Sequence, residues 1–224
     1  MASPKNPGKP DEVIPLFPLP ATVFYPRTLL PLHIFEPRYR QMVADALEGD
    51  RKIGMVLLKP GWEAYYYGKP DIVPVGCVGT IQRHVRLDNG KYNIALEGLN
   101  RFRIIKETGG KPYRRAEIKL LPEKNDRNLA AEKLLSACRE YLDLLPEENE
   151  FKTNFDPASF QTLGQLADEI AHRFDLPVER KQALLEEQDA TERAIIIHAD
   201  LLVKIGLIHF SKEQSKKGFD ARMN

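Results

Sequence analysis

The sequence has only two cysteines and no excess of either charge. Cys77 and Cys138 lie far apart and form neither a C-x-x-C pair nor a metal-binding spacing. We interpret each as a small buried residue and predict no cofactor and no metal site. The formal net charge is only +1, and this argues against a dedicated nucleic-acid-binding protein, because such proteins usually carry a clear basic excess.

The motifs of common enzyme classes are also missing from the sequence. Every Gly-Lys pair is followed by proline or tyrosine, so there is no P-loop for a nucleotide phosphate. There is no H-E-x-x-H zinc motif and no G-x-S-x-G nucleophile elbow. We therefore predict a protein that is not an enzyme and has no catalytic residues. A hydrolase using His33, Glu36 and Glu97 stays a remote alternative.

Signals for secretion or membrane insertion are weak. The first residues lack the apolar centre of a signal peptide, and two cysteines fit a reducing compartment, so we expect a cytoplasmic protein. The longest apolar stretch, AIIIHADLLVKIGLIHF, is interrupted by His198, Asp200 and Lys204. We interpret this stretch as too short and too charged to cross a bilayer, and we predict no membrane partner.

A run rich in both proline and apolar residues dominates the first part of the chain, PLFPLPATVFYPRTLLPLHIFEPRYRQMVADAL at positions 15–47. Proline fixes φ and removes a backbone donor, so no helix can pass through its first half. The apolar residues between the prolines predict short, buried, extended segments, with Phe35 in the core. Apolar residues then recur three and four positions apart, which predicts a helix that begins at Pro37.

Strand signals continue to about residue 121. Ile53–Leu58 is a continuous apolar run, as expected of a strand buried on both faces. Gly76 and Gly79 lie inside the next predicted strand and indicate bends or close backbone approaches. Asp88-Asn89-Gly90 predicts a hairpin turn. Short strands joined by close turns favour a closed or nearly closed sheet.

The composition changes at residues 122–127, after which helical periodicity prevails. We predict an α+β protein with four regions: a flexible leader (1–10), a β-rich lobe (11–122), an α-helical lobe (123–210) and a polar tail (211–224). Four helices with short connections are expected in the α-helical lobe.

Two segments are candidates for contact with a partner. The first is an aromatic loop made of Trp62, Tyr65, Tyr66 and Tyr67. Its alternative role is to cover the open end of a barrel. The second is a basic patch on the predicted hairpin and the strand after it, made of Arg83, Arg86, Arg101 and Arg103. Its alternative is the solvated face of an amphipathic sheet.

Three blocks in the same order as in a known family give a more specific indication. They are PLFPLP with LPLHIFEPRYRQMVADAL, then GCVGTIQRHVRLDNGKYNIALEGLNRFRI, and finally KQALLEEQDATERAIIIHADLLVKI. In these blocks the chain resembles the N-terminal domain of the ATP-dependent Lon proteases. The resemblance implies a PUA-like closed β lobe with one short helix, followed by an α-helical bundle.

The same resemblance implies a function. In the full proteases this domain helps to engage polypeptides, so we expect a stand-alone, non-catalytic binding module or an adaptor in protein quality control. Its partners would be unfolded or apolar polypeptide segments, or a partner protein, and weak homo-oligomerisation is left open. PUA-like folds also include RNA-binding proteins, and RNA binding through the basic patch is therefore the alternative, although nucleic acid is the less favoured partner.

Overall fold

A computed structural model describes residues 10–65, 68–125 and 132–220. These residues divide into two compact units. The first unit holds the described residues up to Pro122 together with Phe174–Gln188. The second unit holds the described residues of Glu123–Arg173 and those from Asp189 onward. The chain therefore enters the first unit twice.

The first unit is built on six strands. They are β1 (Glu12–Leu19), β2 (Leu29–Ile34), β3 (Lys52–Leu57), β4 (Val75–Arg86), β5 (Tyr92–Thr108) and β6 (Arg114–Leu121). The strand order is β2-β5-β4-β3-β1-β6, and β5 also pairs with β6. This last pairing closes five strands into a barrel, while β2 pairs with one end of the long β5. Among the six strands of the described residues, only the pair β1 and β3 runs parallel. The predicted closed β lobe is thus confirmed.

Small and apolar side chains fill the barrel. Its buried cluster contains Ile14, Leu16, Val56, Val78, Phe102, Ala116 and Ile118. Glycine is needed where strands approach closely: a Cβ atom at Gly76 would lie 2.2 Å from the carbonyl oxygen of Met55, and one at Gly79 would lie 2.7 Å from that of Glu97. The close backbone approaches predicted from these two glycines are present.

The first helix, α1 (Pro37–Glu48), begins at the predicted proline and buries Tyr39, Met42, Val43 and Ala46. The prediction for Phe35 was wrong. Its side chain is 56% exposed, whereas the preceding residue, Ile34, is buried. Successive residues of an extended segment point to opposite faces, so the burial of Ile34 directs Phe35 outward.

A helix from late in the sequence completes the first unit. This helix, α5 (Val178–Glu186), packs on the barrel near β4. Arg101 Nε donates a hydrogen bond to the carbonyl oxygen of Leu185 (2.9 Å), and Gln182 Nε2 donates one to that of Val75 (3.1 Å). We predicted a helical lobe over 123–210, which includes α5, whereas the contacts group α5 with the barrel.

The second unit consists of helices. They are α2 (Glu132–Leu144), the short α3 (Glu150–Asn154), α4 (Leu163–Arg173) and α6 (Ala190–Asp220). α2 and α4 both pack against α6. Arg193 on α6 is fully buried and forms an ion pair with Asp168 on α4, at 3.2 Å between Nε and Oδ1. Its Nη2 also donates a hydrogen bond to Glu123. A buried ionic cluster therefore joins three segments of this unit.

α6 is longer and more apolar than the sequence pattern predicted. It continues to Asp220 instead of ending near Phe210, and it includes most of the predicted polar tail. Its segment Ala190–Gln214 has a mean hydropathy of 1.6 over its most apolar window and is long enough to cross a membrane. The prediction that this stretch is too short and too charged to cross a bilayer was therefore wrong about its length and composition. Length and composition alone are weak grounds for a membrane span, because core helices of soluble proteins have them too.

Candidate functional site

One cavity of the first unit combines apolar walls with a charged edge. Its volume is about 610 Å³, within the range of ligand-binding pockets. The ends of β1 and β2, the start of α1, the segment after β3 and the β5–β6 connection all contribute to it. Its apolar lining consists of Phe17, Pro18, Leu19, Pro20, Leu32, Ile34, Phe35, Tyr39, Leu58, Trp62, Pro70, Pro112 and Tyr113.

Phe35 is the most exposed large apolar side chain of the cavity. Its ring stacks on that of His33 with 6.2 Å between centroids and 24° between planes. His33 Nδ1 lies 2.6 Å from Asn93 Oδ1, which orients the imidazole. Deeper in the wall, the rings of Phe17 and Tyr39 lie 4.4 Å apart. An exposed aromatic ring beside a rigid aromatic wall is suited to hold an apolar side chain of a ligand.

Two cationic side chains contact the carboxylate of Glu107 on one side of the cavity. Arg114 Nη2 and Lys69 Nζ lie 2.6 Å and 2.9 Å from its carboxylate oxygens. Burial raises the pKa of Glu107, but hydrogen bonds from Arg114 and Lys69 outweigh that effect and lower it below the ordinary value. Arg114 Nη1 also donates to the carbonyl oxygen of Pro70. These contacts join the end of β5 and the start of β6 to the segment after β3.

Asp45 on α1 holds the β5–β6 connection. It accepts hydrogen bonds from Lys111 Nζ (2.8 Å), Tyr113 Oη (2.6 Å) and Gln41 Nε2 (2.6 Å). Lys111, followed by Tyr113 and Gln41, lowers the pKa of Asp45 to about 2. Burial and the Asp45 carboxylate raise the pKa of Tyr113 well above its ordinary value. Lys111 and Tyr113 line the cavity, so this cluster fixes one of its walls.

The structure does not bring the three residues of the hydrolase alternative together at the cavity. His33 and Glu36, two of the three residues of the hydrolase alternative, line it, but Glu97 does not. Each is engaged elsewhere: His33 by Asn93, Glu36 by Arg38 (3.0 Å) and Glu97 by Gln82. Among the described residues no cluster of His, Cys, Asp and Glu could hold a metal ion.

The two cysteines were predicted to be small buried residues. Both are buried and neither forms a disulfide. Burial raises the pKa of Cys138 to about 12, so this thiol stays protonated at neutral pH. A thiolate nucleophile is not available at this position.

The structure places only part of the predicted aromatic loop. Trp62 is half-buried and lines the cavity. The backbone of Tyr65 ends a short 3₁₀ helix, Trp62–Tyr65. The side chain of Tyr65 lies outside the described part of the chain, as do Tyr66 and Tyr67. The participation of these tyrosines in contacts stays a prediction.

The predicted basic patch is not one surface. Arg101 is only 2% exposed, and its guanidinium faces α5, so it cannot contribute to such a patch. Arg83 and Arg86 lie at one end of β4, whereas Arg103 pairs with Val75 at the other end. Arg83 pairs with Ala95, eight residues before Arg103 on β5, a separation on the order of 25 Å along the strand. Within the described part of the chain, these arginines therefore lie at separate positions and do not form a single patch.

Sequence reasoning did not find most of the charged residues at the cavity. Lys69, Glu107, Lys111 and Arg114 belong to connections and strand ends that are far apart in the sequence and come together only when the barrel closes. No local motif marks them. Phe35 was noticed, but as a core residue instead of an exposed one.

Comparison with known proteins supports the family resemblance that the three sequence blocks indicate, and it agrees with the observed fold. The model of the ATP-dependent protease La (LON) substrate-binding domain matches residues 13–201. The chain is 33% identical over 186 residues to a Lon protease of Dictyoglomus thermophilum and 31% identical over 204 residues to Lon protease 2 of Myxococcus xanthus. These matches cover 81% and 88% of this chain but only 23% and 24% of the relatives.

Solved structures show the same fold. The Lon N-terminal domain protein from Xanthomonas campestris superposes with a TM-score of 0.63 at 22% identity, covering 84% of this chain and 98% of that one. The N-terminal domain of the Mycobacterium avium complex Lon protease gives 0.65 at 17% identity, covering 85% and 97%. The family match over residues 13–201, carried by the same barrel and helices, shows that this chain belongs to the LON substrate-binding domain family.

Proposed function

We propose that this chain is a non-catalytic binding module and that the cavity lined by Phe35 and Trp62 holds a short polypeptide segment. The observation that carries the proposal is the exposed Phe35 ring in a cavity with mostly apolar walls, in a chain of the LON substrate-binding domain family. A volume of about 610 Å³ has room for a few side chains of an extended segment. We place this binding in the cytoplasm, as two buried cysteines that form no disulfide favour.

The sharpest test compares Phe35→Ala with a matched control. Binding of fluorescent peptides rich in apolar residues is measured by anisotropy for the unaltered chain and the variant. We expect Phe35→Ala to weaken binding about tenfold, as for an aromatic anchor at an interface. Val85→Ala is the control, because Val85 is similarly exposed (59%) but lies on β4 outside the cavity lining.

Two results would contradict the proposal. One is equal binding of apolar peptides and of a folded control protein. The other is an equal loss of affinity in Phe35→Ala and Val85→Ala, which would place the contact elsewhere. Turnover of any small molecule by the purified chain would contradict its non-catalytic character.

We further propose that the bound segment is presented to another component, as an adaptor in protein quality control would do. Membership in the LON substrate-binding domain family supports polypeptide recognition, and presentation to a second component would add to it. If this is correct, adding the chain to a protease that acts on an unfolded client should change the rate of client degradation, and Phe35→Ala should abolish the change. An unaltered rate across proteases would leave the chain without an adaptor role.

A further inference from the structure

Cationic side chains outnumber carboxylates in the lining of the cavity, and this excess affects which ligands can bind there. Its described lining includes four cations, Arg38, Lys69, Lys111 and Arg114, but only two carboxylates, Glu36 and Glu107. The third acidic partner, Asp45, bonds Lys111 but is not part of the lining. The surface that a ligand meets is therefore more positive than the chain as a whole, whose net charge is +1.

The two lysines of the lining are also more exposed than its two carboxylates, which adds to the excess of positive charge. The side chains of Lys69 and Lys111 are 64% and 43% exposed, whereas those of Glu36 and Glu107 are each 25% exposed. Each lysine ammonium has three N–H donors, of which one carboxylate contact uses only a part. A second acceptor can thus approach either lysine from the cavity without displacing Glu107 or Asp45.

The apolar and cationic features lie on the same cavity. The exposed Phe35 ring, Trp62 and the Phe17–Tyr39 wall offer contacts for an apolar side chain, and the two lysines stand on the segments that close the cavity. A ligand that uses both features must carry both an apolar group and a carboxylate. In a polypeptide, neighbouring residues can supply the two groups.

We propose that the cavity selects polypeptide segments in which a large apolar side chain stands beside a carboxylate, with Lys69 and Lys111 binding the carboxylate. This inference rests on the proposed function, because it concerns the same cavity. The carboxylate comes from an Asp or Glu side chain or from the end of a polypeptide chain. Both sources have the same chemistry, and the experiment separates them.

The test uses one apolar peptide core in four forms. Its flanking residues are either Glu or Gln, and its C-terminus is either a free acid or an amide. Anisotropy is measured with the unaltered chain, with Lys69→Gln and Lys111→Gln, and with Lys106→Gln as the control. Lys106 is exposed on β5 but lies outside the cavity lining.

We expect the Glu-flanked form, the free-acid form or both to bind better than the neutral amide, and each cavity lysine variant to lose about two- to fivefold of that preference. The preference should also decline with added salt, because exposed charges are screened. Lys106→Gln should keep it. Dependence on the flanking residues identifies a side-chain carboxylate, and dependence on amidation identifies a chain terminus.

A second variant changes the charge in the other direction. Glu107→Gln removes the carboxylate that Lys69 and Arg114 share, so the affinity for the acidic peptide relative to that for the neutral peptide should rise about two- to fivefold. A fall in affinity for both peptides would show that Glu107 only supports the wall.

The outcomes that overturn this inference differ from those that overturn the proposed function. Equal affinity for all four peptides, or tighter binding of the Gln-flanked amide, rejects the carboxylate selection but leaves polypeptide binding intact. No binding of any peptide rejects the proposed function itself. Displacement of the acidic peptide by single-stranded RNA that is lost in Lys69→Gln would assign the lysines to nucleic acid instead, and would also overturn the selection.

Discussion

The two units each contain a cluster of opposite charges, but in different surroundings. In the first unit, Glu107 bonds Lys69 and Arg114 at the wall of an open cavity, and Lys69 is mostly exposed. In the second unit, Arg193 is fully buried with Asp168 beside it and Glu123 as a further partner. Water and ligands can replace a partner in the first cluster, whereas the second cannot lose one without stranding a buried charge. Burial thus separates a cluster suited to recognition from one that holds helices together.

The largest expected effect comes from breaking the buried cluster. Asp168→Ala leaves the guanidinium of Arg193 without one of its carboxylates in a site closed to water, which should cost about 3–5 kcal/mol of unfolding free energy. Urea denaturation followed by circular dichroism measures it. Glu140→Ala, at an exposed position of α2, is the control and should change stability by less than about 0.5 kcal/mol.

A double variant tests whether the cost of Asp168→Ala comes from the stranded charge of Arg193. Asp168→Leu combined with Arg193→Met replaces the ion pair by apolar side chains and should recover most of the lost stability. If the single and double variants are equally unstable, the cost reflects packing and not a stranded charge.

An intermediate effect is expected for Asp45, which fixes the cavity wall. The pKa of Asp45 is about 2 in the folded chain against an ordinary value of 3.8, so folding favours the ionised form. This contribution is therefore complete above about pH 4 and is lost as the pH falls towards 2. Asp45→Asn should cost about 1 kcal/mol at pH 7, after allowance for solvent screening, and the difference should narrow below pH 4.

Denaturation curves at pH 7, 4 and 2.5 give the measurement for this variant. Asp143→Asn, on the exposed side of α2, serves as the control. A cost for Asp45→Asn that does not change with pH would mean that the carboxylate charge has no part in holding Lys111 and Tyr113.

The smallest expected effect on stability is at Phe35. Since this side chain is mostly exposed, Phe35→Ala should lower the free energy of unfolding by less than about 0.5 kcal/mol. Phe102→Ala removes a ring of equal size from the barrel core and should cost about 3–5 kcal/mol. Thermal melting of both variants gives the comparison, and equal losses would mean that Phe35 supports the fold instead of a ligand.

The barrel was predictable because its local signals agree with one another. The turn at Asp88-Asn89-Gly90 joins β4 to β5 as predicted, and Gly90 adopts a φ of +75° that favours glycine. Pro37 begins α1, and β3 is buried along almost its whole length. Each of these features follows from a few neighbouring residues.

Arg101 and the cavity were not predictable for the opposite reason. Arg101 and Phe102 are consecutive on β5, and both are buried because the barrel interior covers one face and α5 covers the other. α5 comes about eighty residues later, so no pattern near Arg101 indicates it. The cavity likewise needs strand ends and connections from four parts of the chain.

The return of residues 174–188 to the barrel has a consequence for how this fold can be divided or recombined. A chain ended after Pro122 would keep all six strands yet leave Arg101 without the acceptor that Leu185 provides, and Val75 without the amide of Gln182. Gene fusions and truncations that respect only the linear order would therefore cut a folding unit in two. Any transplant of the barrel must carry the later helix with it, joined by a linker in place of the intervening helices.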